Sequence, residues 1–171
     1  MAWKRIYQES LGERLCEFTR DEVSELLDAI GSSENPRYDR SNIDKYLDFT
    51  SPDRVYCGLV NEHGNCSAIA VLSNGNPESG YCFLLEIQGL RRGSGAKMLH
   101  ELSGKYHKLW LIADPSAEDT LVDYYRRDEF DFKEHVVEDS CYGVPLHVFY
   151  TRDCDPKLID GTSDENWGNG G

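Results

Sequence analysis

The residues with the clearest chemical potential are two arginines and two glycines at a boundary. In Leu90-Arg91-Arg92-Gly93-Ser94-Gly95-Ala96 they separate an apolar run, Cys82 to Ile87, from an amphipathic run that sets Ala96, Met98, Leu99, Leu102 and Tyr106 on one side. A strand, a glycine turn and a helix in that order make an anion site. The first turn of a helix has amides without intrahelical partners, and the macrodipole makes that end positive. Gly93 and Gly95 let the backbone approach an anion closely. Arg91 and Arg92 supply guanidinium groups suited to phosphate oxygens. Ser94 either adds a hydroxyl contact or fits a tight turn.

Other titratable residues are weighed against this turn. Glu86 is one of few carboxylates within an apolar run. Buried there, its pKa would rise and it could accept a proton, directly or through water; turned outward, it is an ordinary strand-end carboxylate. Glu78, just before the strand, is the alternate base, and Asp114 reads as a helix cap. His100 and His107 read as surface or helix-end residues, His135 and His147 as structural residues of late strands. Cys82 reads as packing. The six cysteines, Cys16, Cys57, Cys66, Cys82, Cys141 and Cys154, are scattered without a CxxC pair. That usage suits reduced thiols in a cytoplasmic protein. No histidine or cysteine cluster has ligand spacing, so no metal site is expected.

The elements that must position these residues follow from periodicity. A first short strand is expected over Trp3–Gln8. Thr19 with Glu22 forms a capping box, after which Val23, Leu26, Leu27 and Ile30 recur at helical spacing up to Gly31. Ser32 to Arg40 is turn-rich, and Ser41 can cap a second short helix carrying Ile43, Tyr46 and Leu47. Arg54 to Gly75 reads as two strands around a His63-Gly64-Asn65 turn. Gly80 to Ile87 is apolar on both faces for much of its length, so it should be central in a sheet. Lys108 to Asp114 is a further strand. Asp114-Pro115 starts a helix that carries Ala117, Leu121, Tyr124 and Tyr125 and ends near Asp128-Glu129. Phe132 to Asp139 and Pro145 to Arg152 form a last pair of strands. No internal repeat is visible. The expected domain is 1–152, with 153–171 an acidic, glycine-rich mobile tail.

A chain of 171 residues with this apolar content suits one domain. Its net charge of −13 disfavours nucleic acid and anionic membranes as partners and favours cationic amines or basic protein segments. Such acidity also serves solubility alone. No apolar run is long enough to span a bilayer, and the first ten residues lack the apolar core of a signal peptide.

In its order of elements from Trp3 to Arg152, the chain resembles the GNAT-type N-acetyltransferases. Leu90-Arg91-Arg92-Gly93-Ser94-Gly95 is similar to that family's Gln/Arg-x-x-Gly-x-Gly/Ala cofactor turn, with Leu90 at the usually polar first position and Met98-Leu99 as its paired apolar residues. Leu121 to Phe130 resembles the second signature, an aromatic-Tyr step followed by Gly-Phe. Tyr124-Tyr125 and Phe130 match it, whereas Glu118 and Glu129 replace the usual Asn and Gly.

The resemblance implies an α/β fold: a mixed, mainly antiparallel sheet of about six to seven strands flanked by helices on both faces. It implies transfer of an acetyl group from acetyl-CoA to an amine by direct attack in a ternary complex. The pantetheine arm would lie along Phe83 to Ile87, on backbone groups of Leu84, Leu85 and Ile87. The pyrophosphate would lie on amides from Arg91 to Ala96. Tyr125 would be the proton donor to the leaving thiolate, although on the residues alone it is a packing tyrosine of an amphipathic helix. The amide near Leu85 would receive the oxyanion, and Glu86 would be the base. Gly31–Arg40 and Asp139–Leu146 would grip the amine, with Glu34, Asp39, Glu138 and Asp139 attracting its charge. An exposed last strand and the tail could support a homodimer.

Three alternatives stand beside this reading. One keeps the fold as an inactive CoA-binding or protein-interaction module. Another is a doubly wound nucleotide-binding protein, opposed by the missing third glycine and the run of antiparallel strands. The third, a nucleic-acid-binding module, is opposed by net charge.

Overall fold

In chain order the elements are β1 (Arg14–Phe18), α1 (Arg20–Ile30), α2 (Ser41–Asp48), β2 (Arg54–Val60), β3 (Cys66–Ser73), β4 (Tyr81–Gly89), α3 (Ser94–Lys105), β5 (Lys108–Ile112), α4 (Glu118–Tyr125), a 3-10 turn (Asp128–Phe130), β6 (Lys133–Val137), β7 (Leu146–Tyr150) and α5 (Pro156–Asp160). The structure is a computed structural model that describes residues 12–31, 33, 35–48, 53–74, 78–113, 118–138 and 143–160. The strands form one seven-stranded sheet in the order β1-β2-β3-β4-β5-β7-β6. Among the described strands, only β4 and β5 pair in parallel. That pair is joined through α3, as a parallel crossover requires.

Both faces of the sheet are covered. Ile69 and Val71 of β3 pack beneath Val23 and Leu27 of α1 and Ile43 and Leu47 of α2. Ala68, Ala70 and Leu72 of the same strand pack beneath Met98, Leu99 and Leu102 of α3. Such two-sided burial is why this stretch is apolar at nearly every position instead of alternating. The α1 start is a capping box: the Glu22 amide donates to Thr19 Oγ1 at 3.2 Å, and the Thr19 amide donates to Glu22 Oε1 at 2.9 Å. Gly31, with φ of 64°, ends the helix. No helix among the described residues is long and apolar enough to cross a membrane.

Several expectations change. The proposed strand Trp3–Gln8 lies outside the described residues, and the first described strand is β1, which pairs antiparallel with β2 from Arg14↔Val60 to Phe18↔Tyr56. Its sequence, RLCEF, has too little apolar alternation to announce an edge strand. The last strand of the chain is not an edge: β7 lies between β5 and β6, so β6 carries the open edge. The tail does not begin at 153. Cys154 and Ile159 are buried against Leu146, Val148 and Tyr150, because α5 turns back to cover the sheet face that α1 and α2 leave bare. Residues 161–171 lie outside the described residues. The second late helix ends at Tyr125, and Asp128–Phe130 forms a separate 3-10 turn. Asp114 to Ala117 lie outside the described residues. The five described cysteines are unpaired.

Candidate active site

The sheet opens beside β4. The β4–β5 ladder runs through Tyr81↔Lys108 and Cys82↔Leu109 and ends at Phe83↔Trp110. Past that rung β4 continues to Gly89 on β3 alone, while Leu111 and Ile112 of β5 pair with Phe149 and Val148 of β7. A wedge therefore separates two parallel strands towards their C-terminal ends. In open α/β sheets such a crevice is a natural ligand site.

A bulge in β4 sits at this opening. Val71 pairs with Glu86 and Leu72 with Leu84, so Leu85 is the inserted residue. A bulge turns the alternation of side chains by one step. Leu84 and Ile87 pack on the α3 side, whereas Leu85 packs with the α1–α2 cluster. Alternation from Ile87 then places Glu86 on the Leu85 face. Strict alternation through Leu84, Leu85 and Glu86 would instead point Glu86 under α3. The Leu85 carbonyl accepts from Tyr46 Oη at 3.4 Å, tying the bulge to α2.

The end of β4 runs into the glycine turn. Gly93, with φ of 82°, caps α3 without a side chain. Gly89 and Gly95 are in close approach: a Cβ on Gly89 would stand 2.7 Å from the Gly95 nitrogen. The Ser94 amide is used within the turn, donating to the Arg91 carbonyl at 3.1 Å. The amides of Gly93, Gly95 and Ala96 have no hydrogen-bond partner among the described residues. Arg91 and Arg92 are exposed and make no ion pair among the described residues. Two exposed guanidinium groups thus stand beside open amides in an otherwise acidic chain.

Leu90 does not behave as its aligned position implies. Its side chain is only 6% exposed, and its amide donates to the Ser67 carbonyl at 2.8 Å. It anchors the turn in the core.

Tyr125 lies on the α3–α4 side of the wedge. It is 8% exposed, with its ring 5.3 Å from that of Tyr124 and 5.5 Å from that of Phe149. Phe149 faces Leu111, one residue past the last β4–β5 rung. Tyr125 and Glu86 thus occupy opposite faces of the sheet with the fork between them. Glu78 is exposed just before β4, at the closed end of the fork. Burial pushes the Cys82 thiol up to about 12, which suits packing and disfavours a thiolate.

The carboxylates expected to attract an amine fare unevenly. Asp39 Oδ1 accepts from the Ser41 amide at 3.0 Å and from Ser41 Oγ at 2.6 Å, which holds its carboxyl below the usual value. It holds the start of α2 and stays an exposed, ionised carboxylate. Glu138 is exposed, and Glu34, Asp139 and Asp114 lie outside the described residues. His147 is more than a strand filler: its Nδ1 lies 2.7 Å from Glu134 Oε2. Arg126, directly after Tyr125, donates through Nε and Nη2 to Glu134 at 2.7 and 2.9 Å. That fork of hydrogen bonds ties the end of α4 to β6. Sequence reasoning missed this cluster, whose only prior signal is charge alternating along β6.

No protein-family model matches the sequence. No curated protein matches it either. The fold does match. The ribosomal-protein-S18-alanine N-acetyltransferase of Escherichia coli superposes with a TM-score of 0.51 at 12% identity, over 81% of this chain and 92% of that one. The histone acetyltransferase HPA2 and related acetyltransferase of Corynebacterium glutamicum gives 0.52 at 10% identity, over 85% and 98%. A GNAT-family acetyltransferase of Bacillus cereus gives 0.50 at 17% identity, over 84% and 99%.

The chain has the GNAT fold. The expected α/β architecture, with a mixed sheet and helices on both faces, is the one observed. At 10–17% identity the likeness concerns the fold.

Proposed function

We propose that the protein transfers an acetyl group from acetyl-CoA to an amine by direct attack within a ternary complex. The observation that carries this reading is the fork: β4 parts from β5 after Phe83 and leads straight into a glycine turn with open amides. The pantetheine arm pairs with backbone groups of Leu84, Leu85 and Ile87, as an added strand would. The diphosphate rests on the amides of Gly93, Gly95 and Ala96, with Arg91, Arg92 and the Ser94 hydroxyl beside it.

The neutral amine nitrogen attacks the thioester carbon, and an amide at the Leu85 bulge receives the oxyanion. Glu86 takes the amine proton, directly or through water. The C–S bond then breaks, and the Tyr125 hydroxyl protonates the departing sulfur. Much of the acceleration comes from holding donor and acceptor together. The acceptor is a cationic amine, small or protein-borne, drawn by a chain of net charge −13. The fold neighbours named above, acetyltransferases by name, support the reaction class.

The test is incubation with acetyl-CoA and a panel of polyamines, aminoglycosides and lysine- or N-terminal peptides. Mass spectrometry should find an acetylated amine, with one free CoA thiol released per acetyl group. A second reading, a CoA-binding module without transfer, is favoured by the burial of Tyr125 in a ring cluster. Saturable CoA binding with no thiol release across the panel would establish it.

A further inference from the structure

The loop between α1 and α2 is fastened to the end of β4 by side chains. Gln88 is 7% exposed and uses both ends of its amide. Its Oε1 accepts from the Asp39 amide at 2.8 Å, and its Nε2 donates to the Asp39 carbonyl at 2.8 Å. Asn35 Nδ2 donates to the Gly89 carbonyl at 2.6 Å. Ser33 Oγ donates to the Leu90 carbonyl at 2.7 Å. Three consecutive residues, Gln88, Gly89 and Leu90, therefore each hold one loop residue.

Residues 35–40 of the loop form neither helix nor strand. Two of their amides are satisfied locally by the same side chains: the Asn35 amide donates to Ser33 Oγ at 3.1 Å and the Arg37 amide to Asn35 Oδ1 at 3.0 Å. If the loop lifts away, the buried Gln88 amide loses both partners, and stranded buried polar groups are penalised. Gly89, in turn, packs on Gly95 of the open-amide turn. The loop and the turn thus share one hydrogen-bonded frame.

We propose that Ser33, Asn35 and Gln88 are positioning residues that couple the α1–α2 loop to the Leu90–Ala96 turn, so that CoA bound at the turn orders the loop. The proposal rests on the functional reading above. An anion that fixes Gly93 to Ala96 restrains Gly89 and Leu90, and so raises the probability that the loop bonds are closed. By linkage, whatever orders the loop tightens CoA binding by the same factor. The loop then presents its acceptor-side surface chiefly when the donor is in place.

The test is hydrogen exchange read by mass spectrometry on the full chain, with and without CoA, alongside calorimetry with CoA. In the wild type, CoA should slow exchange over Gly89–Ala96 and also over Asn35–Ser41, by about fivefold in the loop, with the Asp39 amide as direct reporter. In Gln88→Leu, calorimetry should still record CoA binding, and the slowing over Asn35–Ser41 should vanish while that over Gly89–Ala96 persists. Asn35→Ala and Ser33→Ala, each removing one bond, should show intermediate slowing and serve if Gln88→Leu fails to fold. Slowing confined to Gly89–Ala96 in the wild type, or full loop slowing retained in the variants, overturns the coupling alone. A folded wild type that does not bind CoA overturns both the coupling and the functional reading.

Discussion

Phe83 and Trp110 are the last residues paired across β4 and β5, and their rings meet there with centroids 4.3 Å apart. The aromatic contact closes the sheet at the point beyond which the two strands part. It therefore sets how deep the wedge runs. Both residues lie on the face opposite Cys82 and Leu84, so the contact fixes the vertex without filling the α3-side core. Replacing Trp110 with Leu removes the ring pair while keeping an apolar side chain. The expected loss is about 1 kcal/mol in denaturant unfolding. An unchanged midpoint and slope would mean that the rings do not hold the vertex.

Gly89 tests the closeness of strand end and helix start. Its absent side chain leaves room for the Gly95 nitrogen, which a Cβ would approach to 2.7 Å. Both neighbours are backbone, so the turn itself must shift. Gly89→Ala should destabilise the fold by about 1–3 kcal/mol and weaken CoA binding by about tenfold or more, as measured by thermal unfolding and calorimetry. Wild-type affinity in the variant would show that the turn geometry is not what holds the ligand.

Tyr125 separates chemistry from packing. Tyr125→Phe retains the ring contacts with Tyr124 and Phe149 and removes only the hydroxyl. Stability and CoA affinity should hold, while kcat falls by about a hundredfold. A variant as active as the wild type would leave Tyr125 as a core residue only.

The Arg126–Glu134–His147 cluster gives a pH signature. The Arg126 guanidinium first, and His147 second, hold the Glu134 carboxyl below its ordinary value of 4.5. A depressed carboxylate contributes stability that is complete above the unfolded-state pKa and lost as pH falls through the lower folded value. Glu134→Gln should therefore lower stability at neutral pH by about 1 kcal/mol, and the gap to wild type should close as pH falls below 4.5 and through the lower folded value. Thermal unfolding across pH reads this directly. A gap that persists unchanged in acid would remove the carboxylate from the account.

Much of the frame was legible in the sequence, because burial leaves periodic traces. Gly80 to Ile87, apolar on both faces for much of its length, marks a central strand, and Thr19 with Glu22 marks a helix start; both stand as read. The glycine turn was legible because glycine positions record close backbone approach. The bulge at Leu85 was not, since FLLEI read with a strict period of two sends Glu86 to the wrong face. Partners distant in sequence left no trace. Lys97 falls within an apolar helix stretch yet is buried, 3.2 Å from Glu13 Oε2, which also accepts from Ser67 Oγ at 2.8 Å. Ser33 and Asn35 looked like ordinary turn residues, because their bonds reach across to Gly89 and Leu90.

The central claim is that the opened sheet and its turn hold the diphosphate of a CoA thioester. Calorimetric titration of acetyl-CoA into the wild type and into an Arg91→Ala/Arg92→Ala variant tests it most directly. Binding to the wild type should be saturable, and weakened about tenfold or more when both charge-assisted contacts are gone, with unchanged thermal stability. A folded wild type that gives no heat with acetyl-CoA, or a variant that binds as well as its parent, would contradict it.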